Sequence, residues 1–228
     1  MDPLILLDQA EAQGKIPLAM ARRVRRRMAY LVGAVQRVEK ASSLPYPPYY
    51  IEPVLPLARS QSEYGQMGVL FARVIPTTAT GSLSILIQFT AALVAFAGKS
   101  TIEAVAAHEF AHYVDLVRRL DRTEVVSDEL SATLYESSYA DDERLVPAKL
   151  IFAEKSLTGL LSRKFKGGLT DPALNKKVSD LWVGKSLPVR WVNPEENVMR
   201  LGIEKVASAR FDPRVLERVR EIQKKMKP

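Results

Sequence analysis

The sequence contains no cysteine, and that absence removes disulfide scaffolds, cysteine-ligated zinc, iron–sulfur clusters and thiol nucleophiles together. Histidine is nearly missing as well: 228 residues hold only two, His108 and His112. Sites built from three histidines are therefore excluded. Long apolar runs are also lacking. The most apolar window, Gly81 to Gly98, carries Gln88 and several hydroxyl side chains. It sits at the lower limit for a membrane span and reads as a buried strand followed by a connecting segment. The N-terminal MDPLILLDQ has no basic residues ahead of its apolar stretch and includes Asp2 and Asp8, which makes a poor secretory signal. The expectation is a soluble, cytoplasmic protein. Asn and Gln are sparse, at 3 and 7, a bias that leans towards a thermophile.

What is present fits an ordinary globular chain, 47% hydrophobic and 26% charged, long enough to bury a real core. Three regions are expected: a basic helical segment over 1–45, a core over 46–145, and a helical part over 146–228 packed on that core. A helix is predicted from Ile16 to about Lys40. The Pro-rich passage after it cannot be helical and suits an extended segment or edge strand. Residues 64–75 and 82–89 read as two strands of a small antiparallel sheet. From Lys99 the pattern turns helical, with Ser100 or Thr101 as its cap, and D-R-T-E at 121–124 has the form of a capping box that opens a second helix. The expected class is α+β: a small, mostly antiparallel sheet, then an active-site helix and a helical C-terminal part.

Charge is unevenly distributed. Residues 101–143 hold 11 acids and 3 bases, whereas 144–228 hold 9 acids and 19 bases. An acidic stretch around both histidines of a basic protein suits a cation. Arg22, Arg23, Arg25, Arg26 and Arg27 could grip phosphate or an anionic surface, but on one helix they spread round much of the circumference, and a solvated or carboxylate-paired face is the commoner outcome.

Both histidines fall in one motif, His108-Glu109-Phe110-Ala111-His112. Positions i and i+4 share a helix face, so two neutral imidazoles can reach one zinc ion while Glu109 addresses a water on the open position. A metal lowers the pKa of that water, and Glu109 is the candidate general base. The expected cofactor is Zn2+, and the expected partner is a protein or peptide substrate. A third ligand is required. Asp115 lies about 10 Å along the helix from His108, too far to close on the same ion, and is better placed as a second acceptor or a helix-face acid. Position 118 is Arg, so no third histidine follows. If the chain turns at Asp121, Glu129 comes level with His112 across an antiparallel helix pair, and Ala132 on its face permits close approach. Glu136, with Tyr139 at the same offset, is the reserve. Tyr113, Tyr135, Tyr139 and Arg144 are candidates for steadying an oxyanion, although packing explains each tyrosine as well. Trp182 and Trp191 flank Pro188 and are expected to anchor the C-terminal packing.

The pattern HEFAH followed by Asp128-Glu129-Leu130-Ser131-Ala132 resembles the gluzincins, zinc metallopeptidases with HExxH and a downstream glutamate in an N-E-x-x-small context. The resemblance covers about 100–140 and loosely 50–100; intracellular minimal members such as SprT-like and ImmA-like proteins look closer in scale than the large secreted enzymes. It implies His108, His112 and Glu129 as ligands, Glu109 as general base, a zincin-like fold, and a sheet whose edge strand holds substrate; Ser82–Phe89 is the natural candidate. Thr133 stands where thermolysin-like members have an Asp that orients a ligand histidine. Two other functions compete with the peptidase: a catalytically silent metal-binding regulator, and a nucleic-acid-associated module that makes contacts through the basic N- and C-terminal segments.

Overall fold

The computed structural model describes residues 2–59, 67–78, 81–121, 146–165, 168–192 and 208–226. The chain opens with helix α1 (Ile5–Ala12) and the long α2 (Leu18–Ser42). In α2, Val24, Leu31, Val35 and Val38 recur at helical spacing and are buried, the stripe that a helix needs to pack on a core. Ser43 ends it in the left-handed region at φ 59°. Strands β1 (Tyr49–Glu52) and β2 (Leu55–Arg59) occupy the Pro-rich passage, followed by β3 (Met67–Val69), β4 (Ala72–Thr77) and β5 (Ser84–Thr90). Next come α3 (Ala91–Phe96) and α4 (Lys99–Asp121). The C-terminal part supplies α5 (Ala148–Ile151), α6 (Lys155–Lys164), α7 (Pro172–Val178) with a π turn at Ser179–Val183, β6 (Val189–Val192) and α8 (Pro213–Met226).

The architecture is mixed α+β. Its strands form two three-stranded sheets, ordered β1-β5-β4 and β3-β2-β6. Each sheet has one antiparallel pair and one parallel pair: β4 and β2 run against β5 and β3, whereas β1 runs with β5 and β6 with β2. The expected antiparallel pairing of the 64–75 and 82–89 runs is present as β4 with β5, but "mostly antiparallel" does not describe the result. Nor is the 82–89 strand an edge. β5 is bonded on both flanks, with Ile87 opposite Tyr49 on one side and Val74 on the other. Over Ile87–Phe89 both flanks are taken, by β1 and β4, whereas Ser84–Leu86 pair with β4. The burial of Ile85, Ile87, Gln88, Phe89 and Thr90 fits its central position. Gln88 is satisfied there by Arg73 Nε, which donates at 2.8 Å, and by Tyr50 Oη at 3.3 Å.

The apolar window thus becomes strand β5 running straight into the six-residue α3, a helix where a connecting segment was expected. No described helix is long and apolar enough to cross a membrane. The cap of α4 also differs from expectation. The helix begins at Lys99, and the Gly98 carbonyl accepts from the N–H groups of Thr101 and Ile102. The Thr101 hydroxyl instead donates to Asp171. The start of the helical part expected over 146–228 is interrupted, with α5 and α6 as separate pieces. The second helix expected from 121 lies outside the described residues; Asp121 itself closes α4.

One hydrophobic core joins all of these parts. It runs from Leu7 in α1 through Leu31, Phe89, Phe110 and Trp182 to Ile222 in α8. Helix α4 sits inside it, packed against α2, α6, α8 and β4. The small side chains Ala104, Ala106, Ala107 and Ala111 allow neighbours to approach closely on several sides, and most of the helix from Thr101 to Leu120 is buried. The chemistry-bearing motif therefore rides on a largely buried helix.

Candidate metal centre

Helix α4 holds its motif rigidly because both ends are secured. At the C-terminal end, Gln223 Nε2 of α8 donates to the Arg118 carbonyl, and Arg220 pairs with Asp121 at 3.1 Å. The first of these contacts occupies a carbonyl that a helix end leaves without an intrahelical partner. The expected face-sharing then appears in detail. The Nε2 atoms of His108 and His112 are 2.9 Å apart, with ring centroids at 4.5 Å and planes at 84°. His112 and Glu109 are buried, at 4% and 7% exposure, and His108 is partly exposed.

Two imidazole nitrogens bound tetrahedrally to one zinc at about 2.0–2.1 Å would stand roughly 3.3 Å apart. The observed pair converges to within a small ring rotation of that spacing. Burial, reinforced by the neighbouring His112, holds the His108 imidazole well below its usual pKa. It is therefore neutral at ordinary pH, the form in which imidazole binds a metal. The donor set fits a zinc ion in chemistry and direction, but it is incomplete. Among the described residues no third His, Cys, Asp or Glu joins the pair. Glu129 and Glu136 both lie outside the described residues.

Asp115 resolves into one of its two anticipated roles. It is 3% exposed and accepts from Arg118 Nε at 3.0 Å and Arg119 Nε at 2.8 Å. Its oxygens serve arginines of its own helix rather than a histidine. Tyr113 is a packing residue: burial and then the nearby Asp212 push its phenol up to about 12, and its ring lies 5.8 Å from that of Phe110. Tyr135, Tyr139 and Arg144 fall outside the described residues.

The arginine cluster is largely taken up within the fold. Arg25 bridges Asp8 and Glu11 of α1. Arg23 Nε donates to the Ala95 carbonyl at 2.8 Å, and Arg27 donates to the carbonyls of Val94 and Ala97. Arg23 also lies over the Phe96 ring and Arg27 over Tyr30. Only Arg22 and Arg26 of the five stand exposed without such a contact among the described residues. Trp182 anchors the C-terminal part as expected, fully buried, with its indole N–H donating to the Pro188 carbonyl at 3.0 Å. Trp191 is 48% exposed on β6.

Two residues near the motif carry no sequence signal for their place. Tyr46 stacks on Phe110 at 5.4 Å and donates to the Ala106 carbonyl. Burial first, then the negative Glu109, keeps its phenol protonated far above the usual range. Phe165, at the end of α6, lies face to face with His108, ring centroids 3.9 Å apart and planes within 7°. The Phe-Lys-Gly-Gly sequence announces a tight turn, but nothing in it names the partner 57 positions earlier. Comparison with known proteins adds no assignment: no family model, curated protein or solved structure matches this chain.

Proposed function

We propose that the chain is a zinc-dependent metallopeptidase of zincin-like type, with His108 and His112 as ligands and Glu109 as general base. The observation that carries this reading is the convergence of the two Nε2 atoms at 2.9 Å on one face of α4, with Glu109 one residue round the helix. Zinc held there would supply Lewis acidity towards the scissile carbonyl and lower the pKa of water. Glu109 takes the proton from the attacking water as its oxygen bonds to the carbonyl carbon. It then delivers that proton to the amine nitrogen as the C–N bond breaks. The third ligand is Glu129, with Glu136 as the alternative.

The test combines metal content with turnover on an unfolded protein substrate. Wild type binds one zinc per chain and cleaves; Glu109→Gln keeps the zinc and loses cleavage by at least about 100-fold. Zinc without cleavage by wild type would leave the silent metal-binding reading in place of the enzyme. Glu129→Gln is expected to weaken zinc binding, while Glu136→Gln leaves it near wild type; the reverse result exchanges the two carboxylates.

A further inference from the structure

Lys164–Phe165 and Gly168–Asp171 lie across the histidine face of α4 and are fixed to it at two points. One is Phe165, stacked on His108. The other is Asp171, whose carboxylate accepts from the Thr101 hydroxyl at 2.5 Å. Thr101 and His108 are seven residues apart, two turns of helix, so they share a face about 10 Å along its axis. The crossing segment is itself closed into a loop. Phe165 bridges to Leu169, Thr170 N–H donates to the Lys164 carbonyl at 2.8 Å, and Lys164 Nζ meets Asp171 at 3.3 Å. Gly168 sits at φ 124°, a conformation open to glycine alone, and this permits the reversal. Asp171 also caps α7 by accepting from Leu174 N–H at 3.0 Å. The loop is therefore anchored to α7 as well as to α4.

We infer that Phe165 is a positioning residue for the metal centre: its ring fixes the plane of His108, and the Thr101–Asp171 bond fixes Phe165. An imidazole turns readily about its terminal torsion, which is broad and roughly two-fold. A flat ring lying parallel at 3.9 Å stops that turn without touching either nitrogen. His108 Nε2 stays aimed at His112 Nε2, and the entropy of ordering the ring is settled in the fold before a metal arrives. On α4 the described contact of the His108 ring is the one with His112 Nε2 at 2.9 Å, and the stacked Phe165 ring adds a second from outside the helix. Asp115, the one carboxylate of the histidine face beyond His112, is occupied by Arg118 and Arg119. The loop takes the part that an orienting side chain plays beside a ligand histidine elsewhere.

The inference rests on the proposed zinc site, and the test keeps the two apart. Zinc affinity is measured on the full chain by competition with a chromophoric chelator, alongside the visible spectrum of the Co2+-loaded protein and the melting temperature of the metal-free protein. Phe165→Leu keeps apolar bulk but loses the flat face. Phe165→Tyr keeps the face. Thr101→Val keeps the volume of Thr101 but releases Asp171. The expected result is a loss of affinity of about tenfold or more for Phe165→Leu and Thr101→Val, with an altered Co2+ spectrum, and wild-type behaviour for Phe165→Tyr. Wild-type affinity and spectrum in Phe165→Leu, in a wild type that does bind zinc, would overturn the positioning role and leave the metal site standing. No zinc binding by wild type would overturn both.

Discussion

Asp115 shares the histidine face but gives both its oxygens to arginines, and that distinction can be measured. Removing the charge takes from Arg118 and Arg119, 15% and 18% exposed, the carboxylate that each pairs with on this helix. Breaking one side of a buried pair is costly. Asp115→Asn is expected to destabilise the metal-free protein by about 2–4 kcal/mol in urea unfolding, while zinc affinity stays within about twofold. A large loss of affinity would give Asp115 the orienting role instead. Asp171 makes a pH prediction. Burial alone would raise its carboxyl pKa, but bonds from Thr101, Leu174 N–H and Lys164 outweigh that and hold it below the usual 3.8. Folding therefore favours the ionised form. This contribution is complete above about pH 4 and is lost as pH falls through the lower folded-state value. The stability gap between wild type and Asp171→Asn should accordingly shrink on acidification below about pH 4; a gap independent of pH would mean that the charge contributes nothing.

At the scale of elements, α3 is the instructive case. Six residues cannot hold a helix unaided, and α3 is held from both ends: Thr90 Oγ1 accepts from Leu93 N–H at 3.2 Å, while Arg23 and Arg27 of α2 donate to its last carbonyls. Arg27→Ala is expected to cost about 1–3 kcal/mol, the penalty of stranding buried acceptors, whereas Arg22→Ala stays within about 0.5 kcal/mol. Thermal unfolding of the two variants checks the contrast; equal losses would return the cluster to simple surface charge. The same elements show where sequence was readable. The α2 stripe and the i, i+4 histidines are local regularities, and both survive into the fold. The pairing of Tyr49 with Ile87, or of Leu55 with Val189, leaves no local trace. β5 consequently read as a free strand when it is the centre of its sheet. Phe165 was invisible for the same reason: its partner is set by a loop fixed at Asp171.

At the scale of the whole molecule, Arg37 ties three distant parts of the chain. From α2 it reaches Glu103 on α4 at 2.6 Å and binds Glu154 and Ser156 at the start of α6. Glu103 is nearly buried, so Arg37→Met leaves a carboxylate without its principal partner. With Arg37 itself partly exposed and screened, a loss of about 1–2 kcal/mol is expected. Because one core spans these parts, the loss should shift a single cooperative transition rather than split it. Two transitions, with the C-terminal part melting first, would instead mark that part as a separate unit.

The pairing of β2 with β6 has a consequence for synthesis on the ribosome. β2 is made before its parallel neighbour Val189–Val192, which emerges more than a hundred residues later. Until then one flank of β2 offers bare amides and carbonyls to any passing extended chain. Nascent chains halted before Val189 should be captured by chaperones or associate with one another, and release should follow once β6 clears the exit tunnel.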